Sequence, residues 1–221
     1  MDAATVVSLG TDAQAQKVCC GSEHTCVLLA DGAVKCFGRN DKGQLGLGDS
    51  RDRGDDNNEM GSDLPAVNLG TDSGAALTAT DLECGQKTTC AALSNGKAKC
   101  WGENDRYQLG VGDKSHKGDD NGEMGDALEY VKLDYANLGT VTGVAVGNDF
   151  SCALFQSGKV ACWGETSSGA LGLGNGDDIK SSSDVEGLTG IDLDLSANAI
   201  SAGKDHVCAM STSGGLKCWG K

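Results

Sequence analysis

The chain has 221 residues, enough to bury a sizeable core, and 34 of them are glycine against a single proline. Glycine at this frequency without a collagen period predicts many tight turns and therefore many short strands. The 32 acidic and 18 basic residues give a formal charge of -14, and because the basic residues do not cluster, we expect no binding to nucleic acid. No apolar run reaches the roughly 18 to 20 residues of a membrane span.

The first eight residues lack the charged start and apolar stretch of a signal peptide. The 11 cysteines are nevertheless typical of proteins from oxidising compartments. We therefore expect that a leader was removed or that the chain is an excerpt of a longer polypeptide.

A unit with two cysteines ten positions apart occurs four times. Five positions before the first cysteine of each unit stands a glycine, at Gly21, Gly85, Gly147 and Gly203. The steps of 64, 62 and 56 residues between these glycines are typical of repeat architectures. A single region over 1–221 then has its repeat cores at about 18–48, 82–112, 144–174 and 200–221.

Each cysteine pair flanks a predicted β-hairpin. In the first unit the turn is residues 30–32, a three-residue loop that ends on a glycine suited to the left-handed conformation. This register places Cys26 opposite Cys36 and Leu28 opposite Val34, all on one face of the sheet. The other three units allow the same pairing.

The opposite face of each hairpin carries a small apolar residue, namely Val27, Ala91, Ala153 and Ala209. Both faces therefore suit burial between stacked sheets. In an open arc of such sheets we expect the faces of Val27 and Ala209 to be exposed at the two ends. More of the same polypeptide, a second copy or a larger assembly would then cover them.

Three hairpins are followed by a second glycine-rich segment, at residues 43–48, 107–112 and 169–174. Further along, the stretches 67–70, 131–134 and 191–193 each predict one more strand. Four strands per unit predict the blade of a β-propeller.

The order of these signals resembles a known repeat. It runs Gly-x-x-His-[Ser/Thr]-Cys, strand, Asp-Gly, strand, Cys-[Trp/Phe]-Gly, x-Asn and Gly-Gln-Leu-Gly-x-Gly, and residues 18–48 follow it almost throughout. This order resembles the regulator of chromosome condensation (RCC1-like) repeat. The resemblance implies an all-β fold of four-stranded antiparallel blades. Because the family's usual propeller has about seven blades, four hairpins imply about half of such a ring.

Cysteines directly opposite on antiparallel strands can form a disulfide. We predict four such bonds, Cys26–Cys36, Cys90–Cys100, Cys152–Cys162 and Cys208–Cys218. Each closes a loop of about ten residues and contributes roughly 2 to 3 kcal/mol. For Cys19, Cys20 and Cys84 we predict buried free thiols, with a contact between adjacent blades as the alternative.

The disulfides predict an oxidising location, extracellular, lumenal or periplasmic, in preference to the cytoplasm. Zinc is disfavoured, because the paired cysteines stand ten positions apart and not the two to four of zinc motifs. No metal or cofactor is therefore expected.

No catalytic motif is present. His24 and His206 share a repeat position that holds Thr88 and Phe150 in the other units, so we interpret these histidines as structural. The segment 43–48 provides turn glycines and does not open a helix as a dinucleotide-binding loop would. We expect no enzyme activity.

Two acidic segments, 54–61 and 118–125, are the most polar parts of the chain, and the third unit keeps only 176–178. Their oxygens are weak candidates for calcium ligands. The candidates are Asp55, Asp56, Asn57, Glu59, Asp119, Asp120, Asn121 and Glu123. We prefer solvated loops, because the spacing does not fit a calcium-binding helix-loop-helix. Residues 53–55 also spell Arg-Gly-Asp, an adhesion tripeptide that recurs easily by chance.

Three functions are compatible with these observations. The first is a non-enzymatic scaffold that binds one or more protein partners through its loops, with binding residues that the sequence does not reveal. The second is guanine-nucleotide exchange on a small Ras-like GTPase, which the family resemblance implies. The third is a secreted calcium-dependent or carbohydrate-binding adhesion module. The first is our leading hypothesis.

Overall fold

Short antiparallel strands make up most of the regular structure. The structure is a computed structural model that describes residues 5–165, 168–174, 178–191 and 193–221. In chain order the strands are β1 (Ala15–Cys20), β2 (His24–Leu29), β3 (Val34–Gly38), β4 (Thr71–Asp72), β5 (Ala75–Ala76), β6 (Ala79–Cys84), β7 (Thr88–Leu93), β8 (Ala98–Gly102), β9 (Val141–Val146), β10 (Phe150–Phe155), β11 (Val160–Gly164), β12 (Ala199–Ala202), β13 (His206–Met210) and β14 (Leu216–Gly220).

Four blades follow one another along the chain. Each is a three-stranded antiparallel meander, and the four sheets are β1-β2-β3, β6-β7-β8, β9-β10-β11 and β12-β13-β14. The connections hold the β4-β5 hairpin, a 3₁₀ turn over Gly125–Ala127 and two short helices, α1 (Tyr135–Leu138) and α2 (Ser182–Glu186). None of the helices in the described ranges is long and apolar enough to cross a membrane. The four consecutive antiparallel sheets confirm the predicted all-β propeller fold, in the form of a partial propeller.

The predicted hairpin register is confirmed. In the first blade Cys26 pairs with Cys36 and Leu28 with Val34, and the other three blades pair their cysteines in the same way. Gly32 closes the first turn with a φ of 82°, a conformation that only glycine adopts without strain. The local sequence thus sets which residues share a face.

The prediction of a full fourth strand in each blade is wrong. The stretches at 67–70, 131–134 and 191–193 each attach to the third strand of their blade through one backbone hydrogen bond, from Val67 to Val34, Val131 to Ala98 and Ile191 to Val160. Asp192 lies outside the described residues. Other partners take up the neighbouring backbone groups, since Leu69 O accepts from Lys99 and Lys132 N donates to Gly110 O. These groups are therefore not available for a longer ladder.

Every blade has two unlike faces. We call the face with the paired cysteines the cysteine face and the opposite one, with Val27, Ala91, Ala153 or Ala209, the alanine face. The cysteine face of the first blade packs on the alanine face of the second, where Leu82, Ala91 and Trp101 meet it. The same arrangement repeats from the second blade to the fourth. The hydrophobic core thus lies between blades.

The ends of the arc differ from the prediction. Val27 is only 5% exposed and Ala209 only 1%. Ala209 is buried because the alanine face of the fourth blade packs on the third, and Val27 lies on the central strand between Val18 and Lys35. Among the exposed apolar residues are instead Val18 at the first blade, 60% exposed, and Leu216 at the cysteine face of the fourth, 64% exposed.

Candidate interaction surface

The Trp-Gly motif and the glycine-rich segment join consecutive blades. Trp101 Nε1 donates to the carbonyl oxygen of Gln44 in the preceding blade at 3.1 Å, and Thr89 Oγ1 donates to the same oxygen at 2.9 Å. Trp163 Nε1 repeats the contact with Gln108 O at 3.0 Å. These motif positions are therefore occupied by packing between blades.

The asparagine after each Cys-[Trp/Phe]-Gly signature folds the glycine-rich segment. Asn40 is buried, its Oδ1 accepts from Leu45 N at 2.9 Å, and its Nδ2 donates to Asp49 O at 2.6 Å. Asn104 makes the equivalent bonds in the second blade, to Leu109 N at 3.0 Å and Asp113 O at 2.8 Å. This side chain has a structural role in both blades.

The two acidic segments fold into closed loops held by a glutamate. Glu59 Oε2 accepts from Gly54 N at 2.8 Å and from Asp56 N at 3.1 Å. These two backbone amides lower the pKa of Glu59. Glu123 Oε2 repeats both bonds in the second loop, from Gly118 N at 3.0 Å and Asp120 N at 3.2 Å. The glutamate that sequence analysis offered as a calcium ligand therefore caps its own loop.

The remaining candidate ligands face solvent. Exposed side chains are Asp55, Asp56, Asn57, Asp120 and Asn121, while Asp119 is half-buried. In the third unit Gly176 and Asp177 lie outside the described residues, and Asp178 pairs with Lys180 at 2.8 Å. The arrangement presents negative charge on fixed loop backbones.

Arg53 of the Arg-Gly-Asp tripeptide is not displayed for adhesion. Its Nη2 lies 2.7 Å from Asp49 Oδ2, and its side chain is only 11% exposed. Its backbone pairs with Gly38, which fixes the start of the acidic loop. Asp55 is exposed to solvent, whereas Arg53 is held against Asp49, so the tripeptide does not present both charges together.

A cavity of roughly 570 Å³ lies where the first strands of the four blades converge. Each blade contributes a Gly-x turn to its wall, with the polar residues Ser22, Gln86, Asn148 and Lys204. The backbone joins neighbouring turns, as in the bond from Ser22 N to Gln86 O at 3.1 Å. Cys20 and Cys84 line the same cavity.

The structure contains the four cross-strand disulfides at Cα separations of 4.0 to 4.1 Å. It corrects the assignment of free thiols, because Cys19 and Cys84 form a fifth disulfide with Cα atoms 5.4 Å apart. Cys20 has a free thiol but is exposed, not buried. The alternative of a contact between adjacent blades is therefore what the structure shows for Cys19 and Cys84.

Face direction explains this pairing. Cys19 is the cross-strand partner of Cys26, so it lies on the cysteine face and points to the second blade. Cys84 is the cross-strand partner of Thr89 on the alanine face of the second blade, which points back to the first. Cys20 occupies the same repeat position as Cys84 and faces the open end of the arc.

His24 is buried in the junction between the first two blades. Its Nε2 lies 3.0 Å from Thr89 Oγ1, and burial lowers its pKa to about 4. Its Nδ1 is buried without a hydrogen-bond partner. His206, at the same repeat position in the fourth blade, is exposed because no described blade covers that face.

Ion pairs between blades escaped sequence analysis. Lys17 Nζ lies 2.7 Å from both Asp81 Oδ1 and Glu83 Oε1. Burial opposes the charge of Lys17, but the two carboxylates raise its pKa overall. Lys87 forms a second pair with Asp41 of the preceding blade at 2.7 Å. Lys17 and Asp81 occupy the same repeat position in successive units, 64 residues apart, which was the one signal in the sequence for the first of these pairs.

These stacked blades with repeated junctions define a β-propeller repeat protein. Models of the regulator of chromosome condensation (RCC1) repeat match residues 15–44, 79–108, 141–170 and 198–221, and also 31–92. The matches cover more than half of the chain, which belongs to the RCC1 repeat family.

The similar curated proteins are much longer than this chain. The human E3 ubiquitin-protein ligase HERC2 is 28% identical over 97% of this chain, which corresponds to 4% of that protein. The Arabidopsis thaliana ultraviolet-B receptor UVR8 is 27% identical over 90% of this chain and 40% of its own length. The mouse X-linked retinitis pigmentosa GTPase regulator is 31% identical, over 70% of this chain and 13% of its own length.

Solved structures show the same fold. Human WBSCR16 superposes with a TM-score of 0.70 at 22% identity, over 96% of this chain and 50% of that one. Prp20p from Saccharomyces cerevisiae superposes with a TM-score of 0.62 at 20% identity, over 93% of this chain and 44% of that one. The binding of Prp20p to Gsp1p and histones has been characterised. The chain thus spans about half of these propellers.

Proposed function

We propose that this chain is a non-enzymatic scaffold that binds a basic surface of a partner protein through its two acidic loops. The observation that carries this proposal is the capping of each loop by its own glutamate, Glu59 or Glu123. A loop fixed in this way loses little conformational entropy when a partner binds.

Charge supports the choice of partner. The chain has a formal charge of -14. Part of this charge lies at the exposed tips of the loops, on the carboxylates of Asp55, Asp56 and Asp120. Such a surface attracts a positively charged partner and repels an acidic one, with a dependence on salt. The repeat motifs themselves are occupied by contacts between blades, which leaves the loops for recognition.

Cross-linking of the chain in its native source, followed by mass spectrometry, would identify the partner. Replacement of Asp55 and Asp56 by asparagine should then weaken binding. Replacement of the exposed Asp63 by asparagine and Glu186 by glutamine removes the same charge elsewhere and should leave binding intact. Equal weakening by both pairs, or no cross-linked protein at physiological salt, would reject the proposal.

The location proposed for the scaffold is an oxidising compartment. Five cysteine pairs at bonding positions support this, because structural disulfides persist outside the reducing cytosol. Alkylation of protein taken from its source without reductant should label Cys20 alone among the cysteines. Labelling of all eleven would place the chain in a reducing compartment.

Nucleotide exchange is the second candidate, since the fold is shared with Prp20p, for which binding to Gsp1p is described. Release of a fluorescent guanine nucleotide from a panel of Ras-like GTPases tests it. Acceleration of release from any member would replace the scaffold by an exchange factor. A calcium titration likewise tests the adhesion module, and heat that disappears on replacement of Asp55 and Asp119 would support it.

A further inference from the structure

Residues 6–12 repeat the outer segment of the first blade, residues 66–72. Both segments read x-Val-x-Leu-Gly-Thr-Asp. In the first blade this segment follows the third strand, where Val67 N donates to Val34 O at 2.8 Å. The repeated sequence therefore predicts that residues 6–12 are a second outer segment of the same kind.

The structure gives residues 6–12 only half of the contacts of an outer segment. Lys35 Nζ donates to Leu9 O at 2.7 Å, as Lys99 Nζ does at the equivalent position of the second blade. The bond to a third strand is missing, because Val7 N has no backbone partner among the described residues. Val7 is 52% exposed. This segment thus lies where the outer segment of a blade preceding the first would lie.

The fourth blade has the opposite deficiency. Leu216 occupies the repeat position of Val34, Ala98 and Val160, which are fully buried, yet Leu216 is 64% exposed. No backbone N–H of an outer segment in the described ranges donates to Leu216 O. The third strand of this blade therefore has an open edge, and an edge of this kind can accept another strand.

The large exposed apolar residues all lie at these two ends within the part of the chain that the structure describes. They are Val6, Val7 and Val18 at the first blade and Met210 and Leu216 at the fourth. Apolar surface confined to such patches marks an interaction site. One end presents an alanine face with an outer segment, and the other a cysteine face without one, so the two ends are the two halves of a blade junction.

We propose that two copies of the chain associate head to tail, with residues 6–12 of each copy completing the fourth blade of the other. Val7 N then donates to Leu216 O, and the alanine face with Val18 covers the cysteine face with Met210. This contact uses the ends of the arc and is independent of the partner that the acidic loops are proposed to bind.

The size of the arc favours closure with two copies. The chain spans 50% of WBSCR16 and 44% of Prp20p, whose fold it shares. Two copies therefore supply about one ring, in which both head-to-tail contacts form. A head-to-tail contact that closes gives a finite assembly, whereas one that does not close gives a filament.

Charge determines the concentration at which the copies pair. Each chain carries a formal charge of -14, so two chains repel one another, while the apolar ends attract. We expect single chains at low micromolar concentration and pairs at about 0.1 mM protein in about 0.15 M salt. Sedimentation equilibrium should then give twice the mass of 22.5 kDa. A single-chain mass at the higher concentration, or an open-ended assembly, would overturn the proposal.

Backbone variants test the added segment. Val7→Pro removes the N–H that donates to Leu216 O and should weaken pairing by about tenfold or more. Thr5→Pro copies Pro65 of the first blade, keeps that N–H and should pair like the wild type. Equal pairing of the two variants would contradict the assigned strand.

A charge variant tests the receiving face. Leu216→Asp places a carboxylate in the junction and should leave the chain single at about 0.1 mM, since burial of an unpaired charge is costly. Ala136→Asp adds the same charge at an exposed position of α1, away from both ends, and should pair normally. Pairing of Leu216→Asp at wild-type strength would reject this face.

An engineered disulfide tests the register. Cys20 stands at the repeat position of Cys84, and Ser201 stands at that of Cys19. Ser201→Cys should therefore form a bond between two copies that reproduces Cys19–Cys84. Non-reducing electrophoresis should show a covalent pair, and peptide mapping should place the bond at Cys20.

Ser213→Cys, in the exposed turn of the same blade, is the matched control and should remain single. Equal cross-linking of both variants would show that random collision forms the bond and would overturn the register. A Ser201→Cys chain that pairs within itself, or keeps Cys20 free at about 0.1 mM, would do the same.

Discussion

Cys19 in the first blade is bonded to Cys84 in the second, a separation of 65 residues along the chain. The other four disulfides each span ten residues within one hairpin. The bond between Cys19 and Cys84 therefore links two blades covalently, whereas the remaining junctions depend on packing, ion pairs and hydrogen bonds.

Loss of this bond should cost more than loss of a hairpin disulfide. In the chain-entropy model, closure of a 65-residue loop stabilises the folded state by about 4 kcal/mol, against about 3 kcal/mol for a ten-residue loop. We expect Cys19→Ala with Cys84→Val to lower the free energy of unfolding by about 4 kcal/mol in guanidinium titrations. Cys152→Ala with Cys162→Ala is the control, and an equal or larger loss there would refute the prediction.

The disulfides should differ in their rate of reduction. Cys218 is exposed and Cys208 half-buried, while the cysteines of the other three hairpin bonds are fully buried. Because a thiolate must reach a sulfur atom to exchange with it, Cys208–Cys218 should be reduced first. Brief treatment with a polar dithiol, alkylation and peptide mapping would measure the order. Cys20 should react even before reduction, and earlier labelling of Cys90 would argue against this.

Trp101 should stabilise the first junction through its ring nitrogen as well as its bulk. Trp101→Phe, which copies Phe37 of the first blade, removes the hydrogen bond to Gln44 O. We expect a loss of about 1 kcal/mol in the free energy of unfolding. Trp219→Phe removes a similar bond at a half-buried position and should cost less. A larger loss of unfolding free energy in Trp219→Phe than in Trp101→Phe would show that burial does not determine the cost of removing the indole hydrogen bond.

His24 should make the oxidised protein sensitive to mild acid. The unfolded chain binds a proton at His24 near the ordinary pKa of 6.5, whereas burial lowers the folded pKa to about 4. The unfolded state thus holds more protons between these values, so stability falls as the pH drops from 6.5 to about 4, by about 3 kcal/mol.

The measurement is the free energy of unfolding against pH. His24→Thr should flatten the curve over that window, because it removes the group that titrates differently in the two states. His206→Thr, at the exposed equivalent position, should leave the curve as it is in the wild type. The same slope in His24→Thr would show that other groups cause it.

Glu123 should hold the second acidic loop in its conformation. Glu123→Ala removes the acceptor for the amides of Gly118 and Asp120. We expect both amides to exchange with deuterium faster by about tenfold, the equivalent of roughly one lost hydrogen bond. Asp120→Asn also removes one negative charge but keeps the cap, so its exchange should stay slow. Fast deuterium exchange of these amides in both variants would show that the lost negative charge, and not the lost hydrogen bonds, causes the change.

Local sequence predicted the blade well. The turn at residues 30–32 and the alternation of side chains fix the pairing of Cys26 with Cys36, because a β-hairpin involves only neighbouring residues. The outer strand failed as a prediction, since the carbonyl oxygen of Leu69 accepts a hydrogen bond from Lys99 and that of Asn68 accepts one from Gly125 N instead of forming a ladder. That side chain comes from a distant part of the chain.

The candidate surface was predictable only in part. The acidic segments were evident in the sequence, but the cap by Glu59 on Gly54 and Asp56 depends on the folded path of the loop. The buried state of His24 also depends on the second blade, because Thr89 and Cys84 cover it from there.

The sequence alone determined the repeat, the register of each hairpin and the turns, since those follow from side-chain alternation and glycine over a dozen residues. Only the tertiary structure decided which face of a blade meets its neighbour. That choice pairs Cys19 with Cys84, leaves Cys20 exposed and buries Ala209. The physical reason is that contacts between blades join residues about 60 positions apart, and no local pattern specifies the direction in which one sheet stacks on the next.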